Sequence, residues 1–219
     1  MASIDIPQKV KRIWDKRKER SIERFNNNTR EIKQSFLIIC EGENTEPDYF
    51  NEFKLGSAKV ESVGQGMNTI SLVERAIFIK KDYARKGHVY NQYWVVFDKD
   101  DFSNNDFNNA IWVAQAAGFQ VAYSNQSFEL WYLLHYNLHQ GEINRSLYAD
   151  ILTNYLGFAY TKEKEVSEKM CASLYHLTEI AIRNAKLIHA GFPATHPSPA
   201  TEESSTTVFK LVEELLKYV

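Results

Sequence analysis

Two five-residue apolar runs, Phe36-Leu37-Ile38-Ile39-Cys40 and Tyr93-Trp94-Val95-Val96-Phe97, constrain this chain more than any other feature. Each is unbroken by polar residues, as suits a strand at the centre of a sheet with both faces covered. Such strands need helices above and below, and the intervening sequence supplies them. Pro47 can open a helix that runs on through Tyr49, Phe50 and Phe53. Ile70, Val73 and Ile77 have helical spacing, with Gly87 as a stop. A third helix is expected over about residues 106–117, ended by Gly118. Weaker strands are expected at 59–63 and 119–123. Strand and helix therefore alternate from Phe36 to Ser124, which predicts an α/β fold. Its sheet should be largely parallel, flanked by helices and linked by right-handed crossovers. From Ser127 onward the pattern is mostly helical, over 128–136, 145–155, 166–189 and 206–218, with 192–205 read as a loop. Three segments result: a basic arm (1–34), the α/β core (35–126) and a helical C-terminal part packed on it (127–219).

The 219 residues, 44% of them hydrophobic, suffice for one sizeable core. The formal charge of −2 hides an asymmetry. Residues 9–24 carry eight Lys/Arg against three Asp/Glu, a local charge of +5, which leaves the remainder acidic. Lys11, Arg12, Lys16 and Arg17 are thus candidates for contact with a phosphate backbone, and Trp14 and Phe25 for base stacking. The same residues also suit docking of the arm on the body, and both readings stay open. Cys40 and Cys171 lack metal-ligand spacing, and no Gly-x-x-x-x-Gly-Lys-Ser/Thr loop occurs, so the chain is not itself a P-loop ATPase. Charges begin at Asp5, and no apolar stretch is long enough to span a bilayer. A soluble, cytoplasmic protein is expected.

Chemistry in an open parallel sheet gathers outside the carboxyl ends of its strands. Glu41 ends the first apolar run, followed by Glu43 and Glu46, and Asp98, Asp100 and Asp101 end the second. If those strands are neighbours, the carboxylates converge and repel one another, and a divalent cation removes the conflict. Oxygen ligands favour Mg²⁺ or Mn²⁺. Residues two apart in an extended segment share a side, so Asp98 and Asp100 can reach one metal, or two neighbouring ones, while Lys99 points elsewhere, towards solvent or a phosphate. Glu41 is a metal ligand or a general base. Asp101 is read as solvated, and Glu46 as complementing a helix N-terminus. Glu129 lies among aromatic residues and needs a partner: the metal cluster, Asn125 or an internal Arg, with the metal favoured. His135 is read as a core histidine.

A Glu after the first strand and an Asp-x-Asp after a later one resemble the Toprim signature of topoisomerases, primases and certain nucleases. Three longer phrases are similar to the RloB family of Toprim-related bacterial phage-defence proteins. They are Ile38-Ile39-Cys40-Glu41-Gly42-Glu43-Asn44-Thr45-Glu46-Pro47-Asp48-Tyr49-Phe50, Val95-Val96-Phe97-Asp98-Lys99-Asp100-Asp101 and Ser124-Asn125-Gln126-Ser127-Phe128-Glu129-Leu130-Trp131. Ser205-Thr206-Thr207-Val208 resembles that family's usual ending, and the likeness runs from about Ser35 to the end. The resemblance implies a Toprim-like sheet and a Mg²⁺-dependent nuclease acting on RNA or DNA in anti-phage defence, with Glu41, Asp98 and Asp100 at its centre. It also implies an ABC-type ATPase as a partner. Competing readings are a non-catalytic partner of such an ATPase and a nucleotide-binding regulatory protein.

Overall fold

The computed structural model describes residues 34–62, 69–141, 143–193 and 198–219. Four strands, β1 (Phe36–Cys40), β2 (Ala58–Ser62), β3 (Gln92–Asp98) and β4 (Gln120–Ser124), form one sheet in the order β2-β1-β3-β4. Every pairing is parallel, with Cys40 opposite both Ser62 and Val96, and Asp98 opposite Ser124. The two unbroken apolar runs are the interior strands, as full burial on both faces demands. All five residues of β1 are buried. Edge strand β2 instead carries Lys59 and Glu61, charges that discourage pairing with another chain.

Period-two alternation divides the core in two. Phe36, Ile38, Cys40, Trp94, Val96 and Ala122 face one side, and Leu37, Ile39, Val95, Phe97, Val121 and Tyr123 the other. Helices α2 (Thr69–Arg85) and α3 (Asn104–Ala116) cover the second side. The first is covered by α1 (Thr45–Asn51) and by five C-terminal helices. These are α4 (Glu129–Tyr136), α5 (Tyr148–Leu156), α6 (Lys164–Leu174), α7 (Thr178–His189) and α8 (Val208–Leu216). The α/β and C-terminal helical segments thus share one hydrophobic core.

Three local outcomes differ from the sequence expectation. The helix expected over 166–189 is broken by a 3-10 turn at Tyr175–Leu177, so α7 turns away to pack on α4. Helix α3 begins earlier than expected because the Ser103 hydroxyl accepts the Asp106 N–H at 3.2 Å and so caps it. The stretch read as a loop contains a 3-10 turn, Pro199–Thr201, and the last helix begins at Val208 instead of 206 because Thr206 and Thr207 close part of the β4 edge. There the Thr207 N–H donates to the Tyr123 carbonyl at 2.8 Å, beside an antiparallel bridge between Ser124 and Thr206.

The connections place the site. From β1 the chain passes through α1 on one face, and from β3 through α3 on the other. The loops leaving these two neighbouring strands therefore diverge and open a crevice at their carboxyl ends, the position where ligands bind in sheets of this winding.

Candidate functional site

Glu41 and Asp98 stand side by side at that crevice. The Glu41 N–H donates to the Val96 carbonyl at 3.0 Å, continuing the ladder, and the Asp98 N–H donates to Glu41 Oε2 at 3.2 Å. Asp98 Oδ2 accepts the Phe128 N–H at 2.9 Å, at the entry to α4. Asp98 Oδ1 is buried and, among the described residues, meets no hydrogen-bond partner. A buried carboxylate oxygen in that state is costly unless a cation or a proton reaches it.

Glu46, in the first turn of α1, is only 4% exposed. It lies where the sequence reading put it, with its own backbone N–H acting on the carboxylate, and the side chain also folds back to accept the Gly42 N–H at Oε1, 3.2 Å, while its charge acts on Asp98. Gly42 permits this: a Cβ there would lie 2.0 Å from Glu46 Oε2. Glu129, also 4% exposed, completes the acidic wall. Its partners are neither Asn125 nor an arginine. Tyr160 Oη donates to Glu129 Oε1 at 2.8 Å, and Lys162 Nζ lies 2.9 Å from the same oxygen.

The Asp-x-Asp geometry departs from the expected one. β3 ends at Asp98, and Asp100 has φ +46°, so the period-two argument does not reach it. Asp100 instead pairs with Arg145 Nη1, and exposed Asp101 pairs with Nη2 of the same guanidinium. The Asp100 N–H donates to the carbonyl of Gln126, itself at φ +107°, at 3.2 Å. Two left-handed non-glycine residues in contact are a strained arrangement of the kind that clusters at working sites. Lys99 donates its backbone N–H to the Ser124 carbonyl at 2.9 Å and keeps its side chain partly exposed. Glu43 is exposed and outside the cluster. Lys11, Arg12, Lys16 and Arg17 lie outside the described residues. His135 is a core residue, with Nδ1 donating to the Trp131 carbonyl at 2.9 Å and Nε2 3.3 Å from the Tyr49 hydroxyl.

Crowding shows in the proton affinities. Burial, then the charges of Glu46, Glu129, Glu41 and Asp100, push the Asp98 carboxyl well above the ordinary aspartate range. Glu41 is pushed up to about 7, chiefly by burial, with Asp100 and Glu46 adding to it and the Asp98 N–H opposing. Glu46 is raised by burial and by Glu129. Glu129 is the exception: burial alone would raise it, but Lys162 and the hydrogen bonds hold it below its ordinary value. Among the described residues no three of these side chains close on one point as ready-made metal ligands, since Glu129 is turned to Lys162 and Asp100 to Arg145. The donor set is nonetheless all oxygen, and the orphaned Asp98 Oδ1 faces no competing donor, so the residues suit a hard divalent cation. Beside them a cleft of about 240 Å³ is lined by Asp100, Ser127, Glu129, Arg145, Tyr160 and Lys162, among others.

The family model described as RloB-like protein matches residues 36–215, spanning all four strands and every acidic residue of the crevice. The chain belongs to the RloB-like protein family. No curated protein and no solved structure matches it. Within this RloB-like chain, Tyr160, Lys162 and Arg145 are the functional candidates that sequence reasoning missed. Tyr160 and Lys162 lie in an irregular segment where only the Gly157 stop and an isolated Tyr-Thr-Lys triplet mark the sequence, and Arg145 opens a 3-10 turn at the start of a helix whose pattern does not single it out.

Proposed function

We propose that this RloB-like chain is a Mg²⁺- or Mn²⁺-dependent nuclease of Toprim type, hydrolysing RNA or DNA as an effector of bacterial anti-phage defence. The observation that carries the reading is the buried, unpartnered Asp98 Oδ1 within a set of five mutually acting carboxylates at the β1/β3 crevice. Asp98, Glu46, Glu129 and, once released from Arg145, Asp100 are the oxygen donors that would hold the metal. A bound Mg²⁺ supplies Lewis-acid polarisation of a phosphoryl oxygen and stabilises the leaving oxyanion.

The chain's own groups do the rest. Glu41, at the end of β1 and in contact with the Asp98 N–H, is placed to take a proton from the attacking water. Arg145 and Lys162, on the wall of the cleft, bind phosphate oxygens and orient the scissile bond. The defence role and an ABC-type ATPase partner rest on the family resemblance. Among the described residues no helix is long and apolar enough to cross a membrane, in keeping with a soluble nucleic-acid enzyme.

The test is cleavage of labelled tRNA, single-stranded DNA and duplex DNA by the full chain in Mg²⁺, Mn²⁺ or EDTA. Metal-dependent cutting that Asp98→Asn and Glu41→Gln abolish, with folding retained, supports the nuclease. Intact substrates in every metal, even with the ATPase supplied, would leave the non-catalytic docking reading in its place.

A further inference from the structure

The crevice carries its own cation. Lys162 lies at the surface, in the irregular segment between α5 and α6, and brings Nζ to 2.9 Å from Glu129 Oε1. Its charge acts on Glu41, Glu46, Asp98, Asp100 and Glu129 alike. We propose that Lys162 is a built-in, displaceable counter-ion of the acidic crevice, its ammonium and a divalent metal ion excluding one another. The proposal rests on the metal-site reading above and adds a residue that sets how tightly that site takes metal.

Three observations separate a displaceable counter-ion from a permanent structural pair. Lys162 is exposed, so its side chain can swing out without unpacking any core, and among the described residues one side-chain hydrogen bond, from Asn44 Nδ2 to the Lys162 carbonyl at 3.1 Å, ties its backbone to the residue before α1. Glu129 keeps its second donor, Tyr160 Oη, when the ammonium leaves, so the carboxylate stays in place to receive a metal. With Lys162 seated, Asp98 Oδ1 still has no partner among the described residues: one positive charge answers Glu129 but leaves the cluster undercompensated. A divalent cation answers both. The released ammonium then faces the cleft beside Arg145, where a substrate phosphate is its natural partner. Metal and a phosphate-bearing substrate should therefore help each other bind, because each removes Lys162 from the other's way.

The experiment is Mn²⁺ binding to the full chain without substrate, read from the paramagnetic resonance signal of free Mn²⁺. Lys162→Met should bind Mn²⁺ about tenfold more tightly than wild type, since a unit charge at contact distance has gone. Lys162→Arg, which keeps the charge, should match wild type. Asn44→Ala, which loosens the segment but leaves the ammonium, should tighten binding by about twofold to threefold, the size of one exposed hydrogen bond. Equal or weaker binding by Lys162→Met, with wild type still binding, overturns the counter-ion and leaves the metal site standing. Silence from both wild type and Lys162→Met overturns both readings. A silent wild type beside a binding Lys162→Met supports the proposal. Should Lys162→Met not fold, Asn44→Ala decides, and unchanged affinity there counts against the inference.

Discussion

Glu41→Gln is the most informative single change. Gln preserves the shape and can still accept the Asp98 N–H through its carbonyl oxygen, so the strand ends should stay together. What disappears is a charge that burial and its neighbours disfavour. Raised from its ordinary 4.5 to about 7, the carboxyl binds protons more tightly in the folded chain than in the unfolded one. Stability therefore falls as pH climbs from about 4.5 to about 7, and the penalty is complete above that. At about 1.36 kcal/mol per pKa unit it amounts to about 3 kcal/mol. Metal-free Glu41→Gln should then melt roughly 6–12 °C above wild type at pH 8. The gap should close below about pH 4.5, where Glu41 is protonated in the folded and the unfolded wild-type chain alike. Excess Mg²⁺ should narrow it from the other side, because the cation stabilises wild type more than the variant. Thermal unfolding followed by circular dichroism at pH 4, 6 and 8, in EDTA and in Mg²⁺, measures all of this. An equal or lower melting temperature for Glu41→Gln at pH 8 in EDTA would refute the idea that this carboxylate is held against its preference.

Other changes probe the remaining parts. Gly42→Ala places a methyl group on Glu46 Oε2, so that carboxylate must move, and Mn²⁺ affinity by calorimetry should fall about tenfold or more. Arg145→Gln frees Asp100 and removes a phosphate donor: binding of labelled oligonucleotide should weaken and lose part of its salt dependence, while Mn²⁺ affinity holds or tightens. His135, whose proton affinity burial lowers to about 4, acts on stability in the opposite direction to Glu41. The unfolded chain protonates it first as pH drops below 6.5, so stability is lost between 6.5 and 4. A His135→Phe variant should show a shallower acid limb in urea unfolding over that window.

The proposed nuclease and its counter-ion would share one set of side chains between two states of the crevice. With Lys162 and Arg145 seated, Glu129 and Asp100 are internally paired and the site is held shut by ordinary ion pairs. On the proposed function, the same two cations would face the substrate once a metal and a phosphate are present.

Local composition by itself determined the two interior strands, because a strand covered on both faces must be apolar at consecutive positions and few other elements read that way. It also determined that each strand ends in acid, and hence that Glu41 and Asp98 sit at carboxyl ends. Tertiary structure alone decided that β1 and β3 are neighbours whose exit loops diverge, since that follows from which face each crossover helix packs on. It alone turned Glu46 inward, bent Asp100 out of the strand and brought Tyr160, Lys162 and Arg145 back from more than forty residues downstream. Tyr160 and Lys162 come from an irregular segment, where no periodicity records direction, Arg145 comes from a 3-10 turn at a helix entry, and all three are positioned by the C-terminal helices that close over the sheet.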